Sequence, residues 1–443
     1  MPTIARQFAR FACVDTMTPD NVLHIADRAI LDTLGAIIAG GVHPTVRAVA
    51  TAFVSADGPA TLATTGKTDI QTAALINGTA AHVWDIDDTS YTGIMHGSAV
   101  ILPALLAIAQ STGATPNQLR TAFVKGSEIT YVLAELCTHQ HYFHGWWSTV
   151  TFSLVGATAA VGVLFDLNEE QMVSAIGLAA AASGGGKAIF GTDGKPFLVG
   201  DTARRAISFA LAAKAGLTGP EAAFEDKRGF LKLLNDGHAD ETALESIGSR
   251  WRLQNPGLLF KTNPVCSAAH AAIDQMYALM QELDASAEKV AGIRAEVPEL
   301  VDISLVYPNP ETPQQAQFSL PYALACTVLT GRVRFEDLAV DTIRAPEKLD
   351  LMAKVDVIRA TDLSTDKMRH QFPESARLTL TLSDGRSASG FCGVARGMPD
   401  NPLSDKELIS KFTAAVSFAG HHWQPDMTLG SDPVQTFTRL LTS

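Results

Sequence analysis

The sequence predicts a mainly α-helical protein with a large helical domain and a smaller α+β domain. Of its 443 residues, 47% are hydrophobic and only 18% are charged, which suits a large buried core and disfavours a disordered chain. Alanine and glycine are abundant, and alanine is the strongest helix former. At about 100–200 residues per domain, this length predicts two to three domains, or one large domain with a smaller one.

Residues 1–260 carry the start signals of successive helices. Thr-Pro-Asp at residues 18–20 places a capping residue and a proline at a helix start, and Thr-Pro-Asn at residues 115–117 repeats that signal. Asn168 opens another helix, and residues 201–216 form a further one. Helix and strand patterns do not alternate in this region, which disfavours a doubly wound parallel sheet.

The pattern changes near Asn263, where strand signals begin to appear between helices. Short stretches rich in β-branched residues predict strands, and longer apolar stretches predict helices. The predicted elements are helices over residues 267–283 and 318–329, and strands over residues 293–297, 303–307, 355–359 and 376–382. A Ser-Asp-Gly turn signal at residues 383–385 follows the last strand.

Ser404 then caps a final helical segment that we expect to pack back onto the first domain. These patterns predict a helical domain of residues 1–264 and 401–443 and an α+β domain of residues 265–400. A cleft between the two domains would form near Lys261, and many ligand sites lie in clefts of this kind.

The charge balance and the hydropathy pattern exclude several classes of partner. Arginine and lysine number 34 against 46 aspartates and glutamates, a net charge of -12, whereas nucleic-acid binders usually carry a basic excess. No stretch reaches the about 18 consecutive apolar residues of a membrane span, and residues 1–6 lack an apolar signal core. We therefore expect a cytoplasmic protein that binds neither nucleic acid nor membranes.

The cysteines and histidines give no metal or disulfide signature. Five cysteines lie far apart without a CxxC pair, which is typical of free thiols in a reducing compartment and argues against an iron–sulfur cluster. The spacing of His139, His141 and His144 matches no standard zinc signature, so no metal is predicted. A complete phosphate-binding loop and the GxSxG motif of hydrolases are also missing.

The densest group of titratable residues lies between Asn77 and His96. Asn-Gly-Thr-Ala-Ala-His at residues 77–82 precedes Asp-Ile-Asp-Asp-Thr at residues 85–89. Three carboxylates within four residues repel one another unless donors or cations compensate, and burial tunes such groups for proton transfer. The alternatives are a capped helix end and the DxDD motif of terpene cyclases, whose aromatic-rich pockets this composition does not match.

Three further segments place ionisable groups in aromatic or glycine-rich surroundings. His144 stands in Phe-His-Gly-Trp-Trp, for which aromatic packing at a domain edge is the alternative. Lys195 stands among glycines that allow backbone N–H groups to hold a carboxylate, and the alternative is a flexible loop. Lys261 stands at the predicted domain boundary, close to Cys266, which we interpret as a buried thiol.

Together these segments resemble the motifs of the MmgE/PrpD family, which includes 2-methylcitrate dehydratases, cis-aconitate decarboxylases and iminodisuccinate epimerases. The similarity covers nearly the whole chain in the family's order. The matching motifs are the segment 77–89, Phe-His-Gly at 143–145, Gly-Thr-Asp-Gly-Lys-Pro at 191–196 with Gly200, Lys-Thr-Asn-Pro-Val-Cys at 261–266 and Ala-Gln-Phe-Ser-Leu-Pro-Tyr at 316–322.

The resemblance implies a helical domain closed by the C-terminal segment, a smaller α+β lid domain, a homodimer, and chemistry without a metal or an organic cofactor. The partner it implies is a small carboxylate substrate. The site residues that it implies by position are Asp85, Thr89, His96, His144, Lys195, Lys261 and Tyr322.

The chain departs from the family pattern at two places. Between Thr89 and His96 it carries one residue more than typical members, which changes the expected position of His96. After His144, members commonly show proline, whereas this chain has Gly-Trp-Trp. Two indoles near the pocket would make it smaller or more apolar, which argues against a bulky tricarboxylate such as 2-methylcitrate.

The reaction that the resemblance implies is the formation of a carbanion or enolate next to a carboxylate. We expect lysines to stabilise its charge, a histidine to move the proton and Tyr322 to donate from the lid. The lysines are Lys195 and Lys261, and the histidine is His96 or His144. Asp85 and Thr89 would support these groups. The predicted function is a cofactor-independent lyase, most simply a dehydratase, with decarboxylase and epimerase as alternatives and a non-catalytic binding protein as the rival class.

Overall fold

A computed structural model describes residues 2–422 and 429–442 and places most of them in helices. The helices of the first part are α1 (Ile4–Cys13), α2 (Asp20–Gly40), α3 (Pro44–Phe53), α4 (Ile70–His82), α5 (Ser98–Thr112), α6 (Pro116–Cys137), α7 (Gln140–Phe143), α8 (Ser148–Leu164), α9 (Glu169–Ala181), α10 (Gly194–Lys214), α11 (Phe230–Asn235) and α12 (Thr242–Glu245). The predicted helical domain is therefore confirmed.

Two short antiparallel ladders lie among these helices. The strands are β1 (Ala60–Thr61) with β2 (Lys67–Thr68), and β3 (Thr89–Ser90) with β4 (Leu258–Leu259). The second ladder matters for function because it ties the aspartate-rich segment to the chain that leads to Lys261.

The centre of the helical domain is formed by α5 and α8. Every residue of α5 from Ser98 to Ala109 is buried, and so is every residue of α8 from Ser148 to Gly162. A helix that is covered on all sides lies inside the protein, and α4, α6, α9 and α10 pack around this pair. Among the described helices, none has both the length and the apolar character needed to cross a membrane.

The second part contains helices and a small sheet, as the sequence predicts. Its elements are α13 (His270–Glu282), β5 (Val290–Val297), α14 (Glu299–Ser304), α15 (Pro313–Ala316), α16 (Leu320–Thr330), α17 (Pro346–Met352), β6 (Val355–Arg359), α18 (Asp366–Gln371), β7 (Ala376–Leu382) and β8 (Ser387–Cys392). The strand order is β6-β5-β7-β8, parallel only between β5 and β6. Alternate residues of β7 are buried, and the strand packs against α13.

The chain then returns to the helical domain. After the sheet come α19 (Asp405–Phe418) and α20 (Pro433–Thr442), and α19 lies along α2. Two ion pairs fasten it there: Arg28 with Asp405, and Lys411 with Asp32, whose Nζ and Oδ1 atoms are 2.6 Å apart.

One predicted strand is wrong. Residues 303–307 do not form a strand, because α14 extends to Ser304 and an irregular segment follows. Pro298 directly precedes the helix, a position at which its fixed φ and missing N–H cost nothing. Val301 is buried and Ile303 is 36% exposed, a pattern that suits one turn of a helix on a surface.

A second difference concerns Lys195. The sequence places it in a glycine-rich loop before a helix over residues 201–216, whereas α10 begins at Gly194. Pro196 in the first turn favours this early start. Lys195 therefore lies on the first turn of a 21-residue helix, where its position is fixed by the helix and not by a flexible loop.

Candidate active site

A cluster of buried ionisable side chains lies where the C-terminal end of α4 meets the N-terminal end of α10. The two helices cross with almost no space between them: a Cβ on Gly78 would lie 2.7 Å from the Cα of Gly200. A Cβ on Gly200 would lie 2.0 Å from the carbonyl oxygen of Leu75. Only glycine permits this approach, which brings His82 at the end of α4 next to Lys195.

Asp85 is the centre of the cluster. The Nζ atom of Lys195 lies 2.6 Å from its Oδ1, and the Nζ atom of Lys261 lies 3.1 Å from its Oδ2. Lys261 also donates a hydrogen bond of 2.8 Å to the backbone oxygen of Asp85. The backbone of Asp85 has a φ of 51°, a left-handed conformation that costs energy and is concentrated at functional sites.

The short β3–β4 ladder explains why Lys261 reaches Asp85. Thr89 pairs with Leu259, so the chain that follows β4 runs past the aspartate-rich segment. All of the side chain of Lys261 is buried. This local pairing joins a motif near residue 85 to one near residue 261, a contact that no sequence spacing reveals.

Electrostatics keep this pair ionised despite its burial. Burial opposes the charge of Asp85, but Lys195 and then Lys261 hold the pKa of this carboxyl below its usual range. Burial likewise opposes the charge of Lys261, but Asp85 and then Asp87 raise its pKa above the ordinary value. The site therefore holds a carboxylate and ammonium groups in a dry environment, where charges act strongly on a ligand.

His82 connects the lysine to a second carboxylate. Its Nδ1 lies 2.9 Å from both carboxylate oxygens of Asp87, and its Nε2 accepts a hydrogen bond of 2.6 Å from Lys195. Burial lowers the pKa of His82 to about 4, so the ring is neutral at pH 7. The neutral ring thus carries its proton on Nδ1 and orients the Lys195 ammonium through Nε2.

His96 is the histidine whose second nitrogen is available. Its Nδ1 donates to the backbone oxygen of Asp88 at 2.9 Å and lies 3.3 Å from Asp87 Oδ2 and 3.4 Å from Thr89 Oγ1. For its Nε2, no partner is found within residues 2–422 and 429–442. Because Nδ1 faces these acceptors, Nε2 is the nitrogen left to exchange a proton with a ligand.

The third carboxyl of the segment resolves the repulsion that the sequence implies. Burial raises the pKa of Asp88 well above its ordinary value, which favours the neutral form of this group. Asp85 faces lysines, and Asp87 faces His82 and His96. Despite its burial, Asp87 has a lowered pKa because these two rings direct N–H groups at it. Asp85 and Asp87 therefore each have their own donors.

Aromatic rings enclose the Lys195 ammonium. Its Nζ lies 4.9 Å from the ring centre of Phe318 and 5.6 Å from those of Trp147 and Phe190. Trp147 also packs against His82, with ring centres 5.7 Å apart. One of the two indoles noted in the sequence therefore lines the site, while the other, Trp146, stacks on His141.

The structure brings together five of the seven residues that the sequence singles out. These are Asp85, Thr89, His96, Lys195 and Lys261. It does not place His144 or Tyr322 in contact with them. The side chain of His144 is 37% exposed, with Nδ1 3.5 Å from Asp236. The roles of these two residues stay predictions.

Tyr322 is held inside the second domain by hydrogen bonds to residues that come later in the chain. Its hydroxyl donates to the backbone oxygen of Asp337 and accepts a hydrogen bond of 2.7 Å from Lys348. Its whole side chain is buried in the core of the second domain. To donate a proton to a substrate, the hydroxyl would have to leave both partners.

Sequence reasoning assigned no role to His82 or Asp87, although it quoted both within the motif. Their geometry would also allow a metal ion, since ligand atoms of His82, Asp87 and His96 lie within 4.8 Å of one another. The donor chemistry argues otherwise: both imidazoles direct Nδ1 at Asp87, and Lys195 occupies His82 Nε2. A cation would have to compete with that ammonium.

Comparisons with known proteins agree with this architecture. The model of the MmgE/PrpD N-terminal domain matches residues 6–243, and that of the MmgE/PrpD C-terminal domain matches residues 264–425. The cis-aconitate decarboxylase of Homo sapiens is 24% identical over 416 residues, covering 90% of this chain and 84% of the human protein.

Two further relatives carry related names. The cis-aconitate decarboxylase of Mus musculus is 24% identical over 78% of this chain and 71% of its own length. A cis-aconitate decarboxylase-like protein of Aspergillus oryzae is 23% identical over 78% of this chain and 76% of its own length.

Proposed function

This chain belongs to the MmgE/PrpD family, and we propose that it is a cofactor-independent lyase that forms a carbanion or enolate next to a carboxylate of a small organic acid. The observation that carries the proposal is the buried group of Lys195 and Lys261 around Asp85, close to the His96 ring. A developing enolate needs fixed positive charge at its oxygens and a group that moves one proton.

Lys195 and Lys261 supply the positive charge. Both ammonium groups are held by Asp85, so they are oriented before a substrate binds and need no rearrangement during the reaction. In a site that excludes water, such donors act on charge more strongly than they do in solution. A substrate carboxylate would share them with Asp85.

Loss of carbon dioxide is the reaction that the aromatic enclosure favours. The bond between the carboxylate carbon and its neighbour breaks, the electron pair stays on the neighbouring carbon and spreads into an adjoining carboxylate, and a proton from His96 completes the product. Trp147, Phe190 and Phe318 surround Lys195, and apolar rings suit the release of a small neutral molecule. Two relatives bear the name of this activity, and a third is named as similar to it.

Dehydration is the second candidate, because the Nε2 of His96 would serve as a base as readily as an acid. A base is needed to remove a proton next to a carboxylate before hydroxide leaves, whereas decarboxylation requires only an acid. Epimerisation begins with the same proton removal. The starting protonation state of His96 therefore separates these reactions.

One experiment tests the proposal and its alternatives. The purified protein is incubated in deuterium oxide with cis-aconitate, 2-hydroxy di- and tricarboxylates and aminodicarboxylates, and the products are followed by NMR. We expect release of carbon dioxide from cis-aconitate, with one deuteron in the product. Water loss from a hydroxy acid would identify a dehydratase, and binding without turnover or exchange would contradict the proposed function.

A chelator arm tests the absence of a metal. Activity should be unchanged after dialysis against EDTA, because Lys195 occupies the His82 nitrogen that a metal would use. Full loss in EDTA that zinc or iron(II) restores would overturn the cofactor-free reading.

A further inference from the structure

Lys187 lies outside the cluster, in the loop that leads to Phe190, one of the rings around Lys195. Lys187 begins a short helical turn that ends at Ile189, and Phe190 follows it. The backbone N–H of Lys187 donates to the Gly145 oxygen at 2.9 Å, so its loop is tied to the segment that leads to Trp147. The ring of Phe190 packs edge-on against Trp147, with ring centres 5.5 Å apart.

The ammonium group of Lys187 lacks an acidic partner. Its Nζ lies 3.6 Å from the ring centre of Tyr142, and no carboxylate within residues 2–422 and 429–442 forms an ion pair with it. Burial lowers the pKa of Lys187 to about 8. A half-buried lysine without a carboxylate is costly, which is typical of groups that await an anionic ligand.

Tyr142 provides the ring over which the Lys187 ammonium lies. Its ring is buried. Burial first, and then the charges of Cys266, Glu374 and Asp85, raise the pKa of Tyr142. The turn of Lys187 leads directly to Phe190, whose ring centre lies 5.6 Å from the Lys195 Nζ, so Lys187 belongs to a segment that lines the cluster.

The positive charge of the cluster is too small to balance a substrate that carries several carboxylates. Lys195 and Lys261 are opposed by Asp85, and Asp87 adds a further negative charge. Two lysines are thus opposed by two carboxylates before any substrate binds. A di- or tricarboxylate would need another cation close by.

We propose that Lys187 binds a carboxylate of the substrate that is remote from the reacting carbon, and so selects acids that carry more than one carboxylate. This inference rests on the proposed function for the identity of the reaction, but not for the binding itself. It makes Lys187 a specificity-determining residue and gives the Gly-Gly-Gly-Lys loop a function.

The test uses propane-1,2,3-tricarboxylate, which lacks a leaving group and a double bond and so binds without reacting. Its dissociation constant is measured by calorimetry for the wild type, Lys187→Met, Lys187→Arg and the control Lys214→Met. Lys214 is a matched control because its Nζ also lies over a ring, 4.7 Å from the centre of Phe165, but on the surface. Melting temperatures verify folding.

We expect Lys187→Met to weaken binding by about 10- to 100-fold, the loss typical of one charge-assisted contact, while Lys214→Met and Lys187→Arg bind within about threefold of the wild type. A monocarboxylate probe, butanoate, should bind equally to all four proteins. Equal binding of the tricarboxylate by wild type and Lys187→Met would overturn the inference, and so would no binding by the wild type.

A pH series supplies a signature that a structural role would not give. The amine is a cation below about pH 8 and neutral above it, so wild-type binding should weaken from pH 8 to 9.5. Among the groups beside Lys187, burial lowers the pKa of His141 to about 4 and raises that of Tyr142, so neither changes charge in this range. His144 is the remaining titratable neighbour.

Lys187→Arg shows whether the pH dependence of binding comes from Lys187 or from His144, because a guanidinium keeps its charge at pH 9.5. Its binding curve should stay flat where the wild type weakens. An unchanged pH dependence in Lys187→Arg would contradict the inference. If the wild type turns over no acid but Lys187→Met loses binding, the proposed reaction fails while this inference stands.

Discussion

At the residue scale, one buried carboxylate organises the candidate site. Asp85 holds two lysines that come from distant parts of the chain, and its own backbone adopts a left-handed conformation to do so. The arrangement fixes ammonium groups in place at the cost of burying charge. Removing either lysine should therefore affect both stability and rate, and the two effects can be separated.

Lys195→Ala is expected to lower kcat/KM by about 10²–10³-fold, because it removes a charge-assisted contact worth about 2–4 kcal/mol in the transition state. It should also destabilise the fold, since Asp85 loses its 2.6 Å partner. A Lys195→Ala/Asp85→Asn double variant should recover stability without recovering activity. Wild-type turnover in Lys195→Ala, measured at equal folded fraction, would contradict the role of this lysine.

The two histidines predicted from the motifs can be told apart by a matched pair of variants. His96→Gln should lower kcat/KM by about 10²–10⁴-fold, because it removes the proton-transfer group that faces Asp87. His144→Gln tests the prediction carried by the family motif at a ring that is 37% exposed. A larger loss in His144→Gln than in His96→Gln, with unchanged melting temperatures, would move the proton transfer to His144.

The residues that sequence reasoning identified share one property: each stands in a short motif of recognisable chemistry. Lys195 and Lys261 follow that rule, and both lie in the cluster. His82 and Asp87 were not assigned, because their roles depend on the contact of His82 with Lys195, which no spacing along the chain reveals. Tyr322 shows the reverse case, since its motif gave no sign that Asp337 and Lys348 would engage its hydroxyl.

At the scale of elements, the site depends on the close crossing of α4 and α10. The sequence predicted a helix at the position of α10, but it started this helix at residue 201 because glycine-rich stretches usually predict loops. Gly200 lies inside the helix for a tertiary reason: it faces the backbone of α4 at Leu75. Tertiary contact of this kind overrides local propensity and is not visible in a single sequence.

Gly200→Ala should destabilise the protein by about 1–3 kcal/mol or more, because the new Cβ would lie 2.0 Å from a backbone oxygen that cannot rotate away. Activity should fall further than stability accounts for, since the helices would separate and move Lys195 from His82. Chemical denaturation and kcat/KM are the measurements. Gly292→Ala in β5 is the control, because nothing lies within 4 Å of its Cβ position. Equal effects of the two substitutions would refute the close-crossing argument.

At the scale of the whole molecule, the chain passes from the helical domain to the lid and returns. The sequence predicted this return from Ser404 and the helix after it, and α19 does lie along α2. The exact limits of the domains stay a prediction. What could not be predicted is that α19 also contacts the site. Lys411 donates a hydrogen bond of 2.8 Å to the backbone oxygen of Ile86, which lies between Asp85 and Asp87 in the sequence.

Lys411 also neutralises Asp32, which is buried on α2, with 2.6 Å between Nζ and Oδ1. Lys411→Met leaves that carboxylate without a counter-ion and should destabilise the protein by about 3–5 kcal/mol at pH 7. A Lys411→Met/Asp32→Asn double variant should recover most of this loss, because it removes both charges. Free energies of unfolding from urea titrations measure the cycle.

The pH dependence of the Lys411→Met penalty has a definite sign. Burial raises the pKa of Asp32 above its ordinary value even with Lys411 present, and loss of the lysine raises it further. A carboxyl whose folded pKa exceeds its unfolded pKa binds protons more tightly in the folded state, so folding loses stability as pH rises through that folded pKa. The penalty should therefore shrink as pH falls from 7 toward 4, and the double variant should show no such change. A penalty that is constant over this range would mean that the charge of Asp32 does not depend on Lys411, which leaves the Arg28–Asp405 pair as the ion pair that fastens α19 to α2.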